Sequence, residues 1–533
     1  MKSKAILMAL LALAFQAQAA SVSRSDAESA VRAWAAGGRR HLGVSFGSGA
    51  VEKSASHSTT NGAVFYSVKL RGGGTVFTSA DTSVTPIIAF TAATNDFTSI
   101  DRRSPLWALL NSDLSSRRAT PRGGGLAYAS SPSGAAGSNA AAWRRLVAAG
   151  AGPDYAGADL DPSRTSVSDV RVDVLVKSKW SQGERIWNYY TPPGNPGDRK
   201  NYVCGCVATA ASQIMRYLHG PVDDGGLAIP IPNADVAAKT FTCQVDGRAV
   251  QLTMQGGQYA WDDMPLTPLT SGGITEDQRK NIGKITSDFG ITVSMMYTAD
   301  ASGSFTYDVP GSLVNNFGYA QAVWVQINGE ITPEGGKVLQ NTLFANFDAG
   351  RPCAMSIPGH AIVADGYGYE GDVPYVHLNM GWAGSCDFWY NLPDITEASE
   401  AFDAVNGIGY NIFPEIGGIV GEMTTHAIAS GRVLDEDGNP VSGCAVTVYE
   451  AGTYTAVTSV TSGANGIWAA ILPAGAYDFM AKTDDGEWIG VAESVQLAVP
   501  STHKDGSLFA QASAVGNSWG NDLVLEHPSV SHS

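Results

Sequence analysis

Beyond residue 20 the sequence has no apolar run long enough to cross a bilayer, which needs about 20 residues, so a membrane-spanning body is excluded. Charge is scarce: only 16% of residues are Asp, Glu, Lys or Arg, and no charge-dense block marks a disordered tail. Positive charge is scarcer still. Lys and Arg number 34 against 50 Asp and Glu, a net charge of −16, which argues against nucleic acid and anionic membrane as partners. Cysteine is rare. The six present, Cys204, Cys206, Cys243, Cys353, Cys386 and Cys444, are too few to staple 533 residues, so packing must hold the fold. Cys204-Gly205-Cys206 lacks two further clustered ligands, so zinc is not expected, and no other metal or organic cofactor is implied.

What is present points to an exported chain of several parts. Its length suggests roughly two to four domains. Lys2 and Lys4, the apolar run Ala5–Phe15 and Ala17-Gln18-Ala19 read as a secretory signal peptide over residues 1–20. Ser25-Asp26-Ala27-Glu28 reads as a capping box opening a helix over Asp26–Ala36. Strand-like runs follow at Val64–Leu70, Thr75–Thr78 and Pro86–Phe90, with Gly72-Gly73-Gly74 as a turn. Ser115–Asp169 is rich in Arg, Gly, Ala and Ser and reads as an exposed, cleavable connector, with Arg117-Arg118 and Arg144-Arg145 as candidate processing points. Beyond a Pro/Gly break near 414–421, residues 424–500 alternate in short strands separated by Asp-Gly, Asn-Gly and Pro-Ala-Gly turns, the pattern of a small β-sandwich. Residues 501–533 form a tail without clear pattern.

Two segments carry the chemistry. In Tyr202–Tyr217, YVCGCVATAASQIMRY, the residues Val207, Ala210, Ala211, Ile214 and Leu218 fall at helical spacing. Cys206 then stands at a helix N-terminus, where the dipole and unpaired N–H groups favour a thiolate and should lower its pKa. Pro358–Trp382 reads as a β-hairpin whose first strand opens with His360. Cysteine first and histidine 154 positions later (360 − 206) is the chain order of a papain-like cysteine peptidase.

Residues 20–415 resemble the streptopain family of secreted cysteine peptidases. Its cysteine motif stands here as Gly205-Cys206-Val207-Ala208-Thr209-Ala210 with Gln213-Ile214-Met215. Its histidine motif stands as Gly359-His360-Ala361 with Asp365-Gly366, followed by His377-Leu378-Asn379-Met380-Gly381-Trp382. The resemblance implies an α+β fold: a papain-like two-subdomain peptidase over 166–415, preceded by an α+β inhibitory propeptide with a cleavable linker over 21–165 and followed by an all-β, carboxypeptidase-regulatory-like sandwich. It implies Cys206 as nucleophile, His360 as general base then acid, and Gln182 as oxyanion donor. Ser304, Gly359, Trp382 and Asn379 become substrate-binding residues; no third catalytic member is fixed, Asn379 being a candidate for it. The substrates would be proteins or peptides cut with an apolar residue second before the broken bond. The propeptide would be the enzyme's own inhibitor, and the sandwich would bind a surface, a carbohydrate or a protein. The protein would be extracellular, whether free or held at the cell surface. The family has Trp where this chain has Met380, which leaves the orientation and shielding of His360 open.

Blander readings compete. A cysteine before an apolar helix is more often core, and a strand-end histidine more often structural; here the pairing of motifs tips both towards catalysis. His377 and His219 read as structural and Asp365 as a turn residue. Asp435, Asp437 and Asn439 lack the spaced Glu of a calcium loop and read as a turn. Two rival functions remain: an inactive protein on a protease fold, for which Met380 speaks, and an adhesin acting through the sandwich.

Overall fold

The structure is a computed structural model that describes residues 21–36, 40–119, 135–151, 168–233, 235–270, 273–327, 333–391, 405–415, 425–484, 486–498, 501–502, 508–511 and 516–527. The signal-peptide reading, the break near 414–421 from residue 416 on, and two stretches of the expected connector, 120–134 and 152–167, lie outside these.

The N-terminal part begins with helix α1 (Arg24–Ala35) and strands β1 (Arg40–His41), β2 (Val44–Ser45), β3 (Val51–Thr59), β4 (Gly62–Leu70), β5 (Thr75–Ser79) and β6 (Ile87–Thr91). Helix α1 starts two residues before the expected Asp26, because Ser23, not Ser25, caps it and accepts the Asp26 N–H at 3.1 Å. Helices α2 (Pro105–Ala119) and α3 (Ala135–Gly150) follow. Both depart from the connector reading. Helix α3 packs on α1 so closely that a Cβ on Gly150 would lie 1.9 Å from the Ser29 carbonyl. Its Trp143 is buried, with Nε1 donating to Val84 O at 2.9 Å. Arg117 on α2 is buried too: it pairs with Asp113 at 2.8 Å and donates to Asn391 Oδ1 and O at 2.8 and 3.0 Å. Arg144 and Arg145 are exposed.

Next come β7 (Ser168–Val172), helix α4 (Cys206–His219), β8 (Thr240–Val245), β9 (Arg248–Thr253), helix α5 (Glu276–Thr292), β10 (Met296–Tyr297), helix α6 (Asp308–Phe317), β11 (Gln321–Gln326), helix α7 (Pro333–Asp348), β12 (Cys353–Ile357), β13 (His360–Glu370), β14 (Val373–Asn379), β15 (Phe388–Asn391) and β16 (Gly407–Phe413). Strands of both parts join one sheet in the order β11-β16-β12-β13-β14-β15-β6-β5-β4-β3, with β7 on β13. Its centre is buried on both faces, so β13 is buried almost continuously rather than in alternation. Ile362 and Ala364 enter one core with α2 and α7, while Ala361 and Val363 enter the other with α4 and α5.

The C-terminal strands β17 (His426–Leu434), β18 (Ala445–Glu450), β19 (Ala456–Thr461), β20 (Ile467–Pro473), β21 (Gly475–Lys482) and β22 (Ile489–Leu497) form two facing sheets around Trp468 and Phe479. Of the tail, β23 (Ser501–Thr502) and β24 (Leu508–Gln511) extend the long sheet, β24 running parallel to β11, and β25 (Leu523–Val524) pairs with β17. Asp435 accepts the N–H groups of Asp437 and Asn439 at 3.0 and 2.7 Å, an Asx-type turn.

Candidate active site

Helix α4 is the central element, and more of it is buried than the apolar stripe suggests. Every residue from Val207 to His219 is buried. The turn before it needs a glycine: Gly205 has φ +91°, and a Cβ there would sit 2.7 Å from Met295 Sδ and 3.1 Å from Ser302 O. Cys206, the first helical residue, is only partly buried. Burial pushes its thiol above the ordinary value, against the N–H groups of Ala361, Val207 and Cys206 itself, which favour the thiolate. The expected lowering by the helix terminus is thus outweighed, because the sulfur loses more hydration than three backbone dipoles restore. The Ala361 contact also brings the sulfur to the start of β13.

His360 opens that strand after the two-residue turn Pro358-Gly359, in which Gly359 takes φ +70°. The ring is 7% exposed. Its Nε2 lies 2.9 Å from Met380 O. A carbonyl only accepts, so Nε2 carries the proton and Nδ1 keeps its lone pair. Trp382 stacks on the ring at 4.8 Å and 26°. Burial pulls the imidazole down to about 4, with the Met380 carbonyl opposing, so it is neutral at pH 7. The question left open by Met380 is answered here. A backbone carbonyl orients His360, and any side chain at 380 supplies it. The Met380 side chain itself is fully buried in the core beneath.

A polar knot locks the three segments around this pair. Gln213 Oε1, on α4, accepts from Ser178 Oγ and the Trp180 N–H, both at 3.1 Å, and its Nε2 donates to Asn379 Oδ1 at 3.2 Å. Asn379 Nδ2 donates to Ser178 O at 2.9 Å, and its Oδ1 accepts the Gly381 N–H at 3.0 Å. Asn379 is 1% exposed. That corrects the expectation that it binds substrate or completes a triad: its amide is spent inside the fold. Asp365 is likewise no turn residue. It lies in β13, fully buried, pairs with His377 at 2.7 Å and accepts the Val176 N–H at 2.7 Å.

The segment so anchored leads to Gln182, whose carbonyl accepts the Cys204 N–H at 2.9 Å. Thr209 Oγ1 donates to Ser181 O at 3.1 Å. Gln182 is therefore tied to the cysteine loop while partly exposed. Ser304 stands on the loop whose Ser302 carbonyl crowds Gly205, but its hydroxyl turns inward to Val293 O, leaving main chain to face outward. The structure thus gathers Cys206, His360, Gln182, Gly359 and Trp382, with Ser304 at the edge. Among the described residues no group of three or more His, Cys, Asp or Glu could hold a metal ion.

Residues 180–390, which contain this constellation, match the model of the Peptidase C10 family. This stretch is similar to Peptidase C10 domains. The chain is 26% identical over 253 residues to streptopain of Streptococcus pyogenes serotype M1, an alignment covering 44% of this chain and 59% of that protein. It is 28% identical over 261 residues to the thiol protease/hemagglutinin PrtT of Porphyromonas gingivalis, covering 48% of this chain and 27% of that protein. The chain therefore spans less than two thirds of the length of these relatives. Among solved structures, a prointerpain A fragment of Prevotella intermedia aligns at 19% identity and a TM-score of 0.46, covering 68% of this chain and 99% of the other.

Within this stretch, two parts of the site left little trace in the sequence. Gln213 was legible as a member of the motif Gln213-Ile214-Met215, but its bracing contacts to Ser178, Trp180 and Asn379 were not. The Met380 carbonyl and the Ala361 N–H belong to the backbone and have no residue-type signal.

Proposed function

We propose that this protein is a secreted cysteine endopeptidase of the streptopain type, made as a zymogen. The observation that carries the reading is the Cys206 thiol at the α4 terminus, against the N–H of Ala361, the residue that follows the neutral, oriented His360 in β13. His360 Nδ1 takes the thiol proton as sulfur attacks a peptide carbonyl. The Cys206 N–H and the Gln182 amide stabilise the oxyanion that forms. The imidazolium then protonates the leaving amine, and a thioester remains. Water, deprotonated by the same imidazole, releases the acid and the thiol. Trp382 shields the imidazole, and the Gly359 and Ser304 main chain hold the substrate strand. Protein substrates are expected, with an apolar side chain second before the cut bond. The N-terminal part acts as inhibitor, a role supported by its pairing of β6 with β15. The C-terminal sheets are read as a module for binding a surface, carbohydrate or protein.

The test is Cys206→Ser, which should abolish peptide hydrolysis and labelling by a thiol-directed epoxide with the thermal midpoint unchanged. Cys204, buried with its thiol pushed up to about 12, should be dispensable for both. Activity that survives in Cys206→Ser and disappears in Cys204→Ser would refute the assignment.

A further inference from the structure

Large apolar side chains facing solvent are uncommon on this molecule, yet three lie on one short stretch beside the cysteine. Met296 is 38% exposed, Phe305 56% and Tyr307 49%. Phe305 and Tyr307 stack on each other at 5.0 Å and 16°, and Tyr307 sets its edge towards Trp324 at 6.5 Å. Met296 joins them because its backbone exchanges both hydrogen bonds with Gly303, at 2.9 and 3.1 Å. The presentation is rigid: the Asp308 N–H donates to Phe305 O and the Val309 N–H to Thr306 O, both at 3.1 Å, while Ser302 Oγ accepts the Thr298 N–H at 3.3 Å. The same stretch abuts the nucleophile turn, since Ser302 O lies 3.1 Å from the position of a Gly205 Cβ. An exposed, pre-ordered aromatic pair continuous with a reaction centre is a binding feature, because leaving it in water forfeits hydrophobic stabilisation.

We infer that Phe305 and Tyr307, with Met296, form a subsite for an aromatic or large apolar side chain at the third residue before the cut bond. The inference rests on the peptidase reading and adds to it. Nearest Cys206 the wall is interior, Met295 and Val293 being buried. The exposed pair begins one residue beyond Ser304, further from Gly205 along the chain. An extended substrate advances about 3.3 Å per residue. A strand gripped along Ser304 therefore meets the buried wall first and the aromatic pair one position further out.

Two fluorogenic peptide series test this with the mature enzyme. One varies the third residue before the cut (Phe, Leu, Ala, Glu) and the other the second. The wild type should favour Phe over Glu at the third position by about tenfold in kcat/KM, a typical worth for one apolar contact, and KM should carry most of it. The Phe305→Ser/Tyr307→Ser variant should lose that preference while keeping its second-position profile and its epoxide-titratable thiol. If that thiol is lost, Phe305→Ser alone, at the more exposed site, carries the comparison. Indifference of the wild type at the third position, a preference that persists in the variant, or a change confined to the second position overturns the subsite. A wild type that cleaves no peptide overturns the peptidase reading itself and the subsite with it.

Discussion

The chemistry of single residues here is set by what surrounds them. Cys206 and His360 were legible as types in order, but their protonation was not, because desolvation depends on neighbours from five segments. Burial raises the thiol and lowers the imidazole to about 4, so the resting pair is thiol and neutral base. On the acid side its competent form is lost when His360 gains a second proton, and on the alkaline side when the Cys206 thiol loses its own. The acid limb of kcat/KM should therefore fall near pH 4, below the ordinary histidine range, and the alkaline limb should lie above the ordinary thiol range. An acid limb at pH 6.5, measured in short assays, would contradict this. For Gln182, whose backbone is tied to Cys204, the side chain is the free part. Gln182→Ala should lower kcat by about 10²–10³ with little change in KM, the usual effect of losing one oxyanion donor. A raised KM at constant kcat would make it a binding residue instead. Asn379 and Asp365 show what a sequence hides: each sits in a motif that suggests substrate or turn, yet each is an internal brace, a role that burial alone reveals.

At the scale of elements, strands were easier to find than helices. The runs near Val64, Thr75 and Ile87 alternate or cluster as β-strands do, and the observed bounds differ from expectation by one or two residues. Helix α3 was missed because Ala, Gly, Arg and Ser dominate it, a composition shared by linkers, and the end of α2 from Ser115 fell in the same stretch. What makes α3 a helix is tertiary: α1 lies against Gly150, and Trp143 closes the small core with Tyr66. The turn into α4 has the opposite character, being fixed by one glycine. At φ +91° an L-residue costs about 1–3 kcal/mol in strain alone. Gly205→Ala also drives a methyl onto Met295 Sδ and a backbone carbonyl. We expect a lower urea midpoint and a much larger loss of kcat than of stability, because the collision displaces Cys206. Wild-type turnover in that variant would show the turn to be tolerant.

In the whole molecule, the long sheet ties together parts that the sequence presents as separate. That continuity was illegible because β6–β15 and β24–β11 join residues hundreds of positions apart. It also narrows where processing can occur. Helix α2 is held through Arg117 to Asn391, α3 through Gly150 to α1, and β7 to β13. Cleavage that activates the enzyme should therefore fall within residues 152–167, between α3 and β7. The severed N-terminal part should co-purify until β6 is peeled from β15. N-terminal sequencing of the mature form decides the matter, and a start inside 105–119 or 135–150 would refute it. The placement of β24 has a further consequence, for the timing of synthesis. The two strands at one border of the long sheet, β23 and β24, lie after residue 500 and cannot pair with β11 until some five hundred residues have emerged. A chain leaving a ribosome therefore holds β11 without its outer neighbours for all of that time, and a ribosome that stops before residue 500 releases a sheet lacking that border.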